Sequence, residues 1–88
     1  MNTLQPERRG SPRRHVEAKA RLMLRNQRVV YCIVHNISET GAMFVLREDV
    51  ALPDWLMLEM GGNLRVARRC QRVWQDGMLC GVKFPDRH

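Results

Sequence analysis

Four arginines crowd the beginning of this chain, in the run Glu7-Arg8-Arg9-Gly10-Ser11-Pro12-Arg13-Arg14. Arg9 and Arg13 form an RxxxR spacing, with Arg8 and Arg14 flanking it. A guanidinium is a planar fork that pairs bidentately with a phosphate or with the N7/O6 edge of guanine, and it also stacks on flat rings. Two such forks on an extended, Pro-containing segment can reach different parts of one ligand. A second polar set follows at Asn36-Ile37-Ser38-Glu39-Thr40-Gly41, an NxSxxG pattern. Asn36 offers a donor and an acceptor, to read a base edge or fix a turn. Ser38 offers a hydroxyl to a phosphate oxygen or an exocyclic amine. Gly41 allows a backbone conformation, or a close approach, that a Cβ would obstruct. Each pattern alone is common: RxxxR arises by chance in an Arg-rich chain, and NxSxxG describes many turns whose side chains bond their own backbone. Occurring in this order on either side of one strand hairpin, they are far more specific.

The charge balance points the same way. Fifteen basic residues stand against nine acidic ones, and all the basic residues but Lys19 and Lys83 are Arg. That composition favours an anionic partner without choosing among nucleic acid, nucleotide and membrane surface. Other chemistries find no footing. Cys32, Cys70 and Cys80 have neither CxxC spacing nor an even count and lie in apolar runs, so they read as small buried hydrophobes rather than as a disulfide or zinc set. His15, His35 and His88 are scattered, which leaves no metal site; His35 reads as a strand-end residue. No nucleophile, second base or paired carboxylate accompanies it, so no catalytic residues and no cofactor are expected. The polar N-terminus lacks the apolar stretch of a secretory signal, and no run approaches the roughly 20 residues of a membrane span, so a cytoplasmic protein is expected.

Positioning the polar groups falls to short strands. Residues 1–14 lack apolar periodicity and are rich in Arg, Pro and Gly, which predicts a flexible arm; residues 15–88 form one small domain. Val16, Ala18, Ala20, Leu22 and Leu24 alternate with polar or long side chains, the period of a half-buried strand. Arg25-Asn26-Gln27-Arg28 is a turn, and the β-branched run from Val29 to Val34 predicts a central strand. Gly41 to Leu46 and Trp55 to Met60 supply two more, separated by a loop with Pro53 and three acids. Gly61-Gly62-Asn63 signals a hairpin into a long fifth strand, Leu64 to Trp74. There Leu64, Val66, Cys70 and Trp74 are expected inward and Arg65, Arg69 and Gln71 outward. Arg68 and Arg72 break that phase and predict a bulge or a strongly coiled strand there. Asp76-Gly77 turns the chain into a sixth strand, with Met78, Cys80, Val82 and Phe84 alternating against Leu79, Gly81 and Lys83. Six short strands joined by hairpin-type turns predict an all-β antiparallel domain, and closing it into a barrel removes exposed edges.

With the elements in place, RxxxR in an arm followed by NxSxxG on the early strands resembles the signature of the PilZ domain family, carried here by Arg9, Arg13, Asn36, Ser38 and Gly41. Pro12 before Arg13, Val16 opening the first strand and Gly81-Val82-Lys83-Phe84 closing the last are similar to the family as well, so the resemblance covers residues 7 to 84. It implies a six-stranded antiparallel β-barrel that binds cyclic di-GMP, a ligand of two phosphates and two guanines, with the arm wrapping it against the barrel. The implied ligand residues are Arg8, Arg9, Arg13, Arg14, Asn36, Ser38 and Gly41. Arg8 is in addition a place to hold a second, stacked ligand. Family members often carry a helix after the last strand; here no substantial C-terminal helix is expected.

The expected function is a receptor, not an enzyme, whose ligand-ordered arm alters contacts with an unidentified protein partner, without DNA or RNA binding or membrane insertion. Two other readings compete. One is a ligand-independent interaction adaptor, docking a protein or a second copy of the chain (a homodimer) on an apolar outer face around Val30, Cys32 and Val34. The other, a nucleic-acid-binding barrel, follows from charge alone and is disfavoured by a shortage of exposed stacking aromatics. The stripe Arg65, Arg68, Arg69 and Arg72 reads as a solvated face. Trp55 and Trp74 read as core or rim residues, although an exposed ring can stack a guanine.

Overall fold

The computed structural model describes residues 14–61 and 66–85, with the side chains of 14–16 and 66 excepted. Six strands follow in order: β1 Arg14–Met23, β2 Val29–Ile37, β3 Gly41–Leu46, β4 Trp55–Met60, β5 Val66–Asp76 and β6 Leu79–Lys83. All neighbouring pairs are antiparallel, and the order β1-β2-β3-β6-β5-β4 closes on itself through β4 and β1. The expected all-β, six-stranded antiparallel barrel is therefore the fold, and no α-helix occurs among the described residues. None of their helices is long and apolar enough to cross a membrane.

Period-two alternation builds the interior. Leu22, Val30, Cys32, Val34, Phe44 and Leu58 are buried, each on the inward phase of its strand. Phe44 is the largest of the fully buried side chains, and truncating it to Ala costs about 3–5 kcal/mol, a large share of a small domain's stability. One consequence is a correction: Val30, Cys32 and Val34 form the barrel's inside, not an apolar outer face. The outer residues between them are Tyr31, 59% exposed, and the half-buried Ile33. The run from Val29 to Val34 is apolar on both faces because β-branched residues fill the outer side of a central strand too.

Three single-residue irregularities interrupt the alternation. Register shifts fall between His15 and Ala18 on β1, between Val34 and Asn36 on β2, and between Arg72 and Trp74 on β5. The extra residues on β2 and β5 are His35 and Val73. A bulge leaves one residue unpaired and reverses the in–out phase beyond it. The bulge in β5 is the one expected, but it lies after Arg72, so Trp74 faces outward rather than inward, and Gln75 takes the inward phase. Met78, also expected inward, sits in the two-residue β5–β6 turn, where Gly77 has φ +65°.

The strands are not all joined by hairpins. β3 pairs with β6, so the chain crosses from β3 to β4 through residues 47–54. Gln75 pins this crossover: its Nε2 donates to Val50 O at 2.8 Å and Gly77 O at 3.0 Å, and its Oε1 accepts from Leu52 N at 2.9 Å. Arg72 donates from its backbone to Asp54 O at 2.8 Å and from Nη2 to Asp54 Oδ1 at 3.0 Å. A loop across a barrel end has backbone groups that the ladders cannot satisfy, and these bonds satisfy several of them.

The three cysteines are unpaired and buried, as expected. Burial raises each thiol from its ordinary 9.0, Cys32 to about 12 and Cys70 and Cys80 to about 11. The unfolded chain thus ionises first. Stability from the neutral thiols is complete below pH 9 and is lost as pH rises through the folded values of about 11 to 12, by up to ~1.4 kcal/mol per pH unit for each thiol. Urea melts taken from pH 8 to 11 are expected to show a steep fall that Cys70→Ala and Cys80→Ala each make shallower. A wild-type profile no steeper than those of the variants contradicts this.

Candidate functional site

The antiparallel order brings the start of β1, the end of β2, the start of β3 and the end of β6 to one end of the barrel. Arg14 pairs with Ile37 and His15 with Asn36, so the chain preceding β1 joins the barrel beside the second polar motif. Arg8, Arg9 and Arg13 lie outside the described residues; of Arg14 the backbone is described. Asn36 pairs on its other side with Met43, on the outward phase opposite to that of buried Ala42.

The β2–β3 loop is a turn built by its own polar groups. Ser38 N donates to Gly41 O at 2.8 Å, Thr40 N donates to Ser38 Oγ at 3.2 Å, and the Ser38 and Thr40 hydroxyls lie 3.1 Å apart. Ser38 therefore serves the turn in the way that such sequences often do. Its oxygen retains lone-pair and donor capacity beyond these contacts. Phe84 N donates to Thr40 O at 2.8 Å, which ties the loop to the chain leaving β6.

Gly41 has a packing reason. A Cβ at this position would lie 2.4 Å from Val82 O and 3.3 Å from the Cα of Lys83, so β3 and β6 approach at a distance only glycine allows. Gly41 acts on this geometry as a seam between the loop and the last strand.

One register row links the loop to a residue that sequence reasoning set aside. Trp74 pairs with Gly81, Gly81 with Met43, Met43 with Asn36, and Asn36 with His15. At about 4.8 Å per strand, Asn36 and Trp74 are roughly 14 Å apart along this row. Between them is an open recess of ≈ 460 Å³, lined by Thr40, Met43, Trp74, Gly81, Lys83 and their neighbours. Trp74 is 40% exposed and lies over Gly81. Counting back from the Asp76-Gly77 turn pairs Trp74 with outward Gly81; counting forward from the start of β5 misses the bulge.

Two further expectations need correcting. The β5 stripe is not a simply solvated face. Arg68 lies 4.3 Å over the Phe84 ring, Arg69 lies 4.1 Å over Trp55, and Arg72 holds Asp54; Arg65 lies outside the described residues. Nor are exposed aromatics scarce, since Tyr31, Trp55 and Trp74 all reach solvent. They stand on separate strands, and Trp55 is covered by Arg69. His35 is the extra residue of its bulge, its Nδ1 4.0 Å from Glu17 Oε2. No group of three or more His, Cys, Asp or Glu suited to a metal ion occurs among the described residues.

A comparison with known protein families matches residues 7–88 to the PilZ domain. The chain belongs to the PilZ domain family. PilZ domains are binding and receptor domains, in general for cyclic di-GMP, and many interact with partner proteins. No curated protein matches the chain.

The Gly41 contact makes a stability prediction. Gly41→Ala drives a Cβ into the Val82 carbonyl at the PilZ seam and is expected to cost about 1–3 kcal/mol by chemical denaturation. An unchanged midpoint contradicts the seam.

Proposed function

We propose that this PilZ domain is a cyclic di-GMP receptor in which Arg9 and Arg13, flanked by Arg8 and Arg14, close over a ligand held at Asn36 and Ser38, with Trp74 as a base platform at the far side of the recess. Gly41 contributes by shaping the turn. The observation that supports the reading best is the register of Arg14 with Ile37 and His15 with Asn36. It tethers the arginine-rich segment beside the second motif. Arg9 is five residues before Arg14, a span of at most ~18 Å, so its reach covers the recess.

The chemistry of the ligand fits these groups. Each phosphate and each guanine N7/O6 edge accepts a guanidinium fork. Asn36 can read a base edge while the Ser38 hydroxyl serves a phosphate oxygen or an exocyclic amine. A ring such as Trp74 adds stacking. Ordering the arm costs conformational entropy that only a ligand bridging arm and barrel offsets, so the arm acts as an order–disorder switch whose closed form presents a new surface to a protein partner. The adaptor alternative loses its support, because the face it relied on is the barrel's interior.

Arg9→Ala and Arg13→Ala each remove a charge-assisted fork. Each is expected to weaken cyclic di-GMP binding by about 1.5–3 kcal/mol, roughly 10- to 150-fold, with the barrel's circular dichroism and melting unchanged. Calorimetry finding wild-type affinity in both variants rules out this assignment.

A further inference from the structure

Gly81 is buried although it takes the outward phase of β6, between inward Cys80 and Val82. The indole of Trp74 covers it. A Cβ on Gly81 would lie 2.3 Å from Nε1, 2.5 Å from Cε2 and 2.9 Å from Cζ2. Three ring atoms that close mean that the ring lies across the Gly81 Cα, not beside it. Cross-strand partners in an antiparallel pair normally stand side by side, each with room for its own side chain. Here the Val73 bulge adds local twist and Trp74 lies down over its partner. The ring thereby flanks the recess with Met43, the residue opposite Gly81 on β3.

We infer that Gly81 is a positioning residue of the ligand site: its missing side chain lets the Trp74 indole lie flat on β6, which keeps the recess open and presents the ring to a planar purine base. The inference rests on the cyclic di-GMP reading and adds to it a residue that touches no ligand itself. An alanine at 81 drives the indole off the strand and out of its place beside the recess. The same substitution leaves the inward face of β6 and the turn at Gly77 as they are.

A double-mutant cycle on the full chain tests this, with cyclic di-GMP as the probe in calorimetry. Gly81→Ala is expected to weaken binding roughly tenfold, as the loss of one stacked base does. Trp74→Ala is expected to weaken it to a similar extent. The double variant W74A/G81A is expected to bind no worse than W74A, because Gly81 acts only through the ring. In a Trp55→Phe background Trp74 is the sole tryptophan, and G81A is expected to shift its emission and raise its quenching by acrylamide. If G81A folds poorly, W74F/G81A supplies the same information, since the smaller ring relieves the overlap and restores both folding and part of the affinity. Wild-type affinity in G81A overturns the inference while the receptor reading stands, and so do losses that multiply in the double variant; wild-type affinity in W74A overturns the inference together with the base-platform role of Trp74 and leaves only the arginine grip on the ligand. A wild-type chain that does not bind cyclic di-GMP at all removes the receptor reading, and this inference with it.

Discussion

A band of bulges runs across one level of the barrel, and the candidate site depends on it. The extra residue on β5 falls immediately before Trp74, the one on β2 immediately before Asn36, and the shift on β1 immediately after His15. Those three residues share one register row. Each bulge changes which side chains face out at that level, and each adds twist. Without the β5 bulge, Trp74 would compete with Phe44 and Val82 for the interior, and Gln75 would point to solvent. With it, one irregularity gives the outer surface a ring and gives the crossover its clamp at Val50 and Leu52.

The regular part of the barrel makes such departures tolerable. The inward faces of β3 and β4, and of β2 as far as its bulge, alternate without a break through Val30, Cys32, Val34, Phe44, Leu46, Leu56 and Leu58. That core fixes register, because a slip by one residue would send the whole set to the surface. The seam between β3 and β6 adds a second restraint. Gly41 lets the two backbones close, and the bond from Phe84 N to Thr40 O holds the motif loop to the last strand. Asn36 at the end of β2 and the loop carrying Ser38 are therefore braced on both sides, which suits polar groups that must keep their orientation.

Most of the architecture was legible in the residues. Alternation locates the first, fifth and sixth strands, apolar runs bounded by turn residues locate the other three, Asp76-Gly77 marks its turn, and RxxxR with NxSxxG points to the PilZ domain. The misreadings share a cause. Counting from the start of β5 puts Trp74 inward, because no local signal fixes the position of the bulge. A strand apolar on both faces gives no phase, so the residues alone do not show that Val30, Cys32 and Val34 point inward. The β3–β4 crossover looked like another hairpin because pairing of β3 with β6 is a long-range choice, settled by barrel closure. The partners of Arg68, Arg69 and Arg72 were hidden for the same reason: Phe84, Trp55 and Asp54 are distant in sequence and adjacent only once the barrel closes.

The central claim is that one dinucleotide is gripped from two sides, by the arginines ahead of β1 and by the turn after β2. Backbone amide and indole N–H shifts, followed as cyclic di-GMP is added to the isotope-labelled chain, test it most directly. The account predicts large changes confined to residues 7–14, residues 36–41 and the Trp74 indole, with the inward-facing positions of β4 nearly still. Saturation with changes on one side alone, or changes centred on Tyr31 or Trp55 instead, contradicts it.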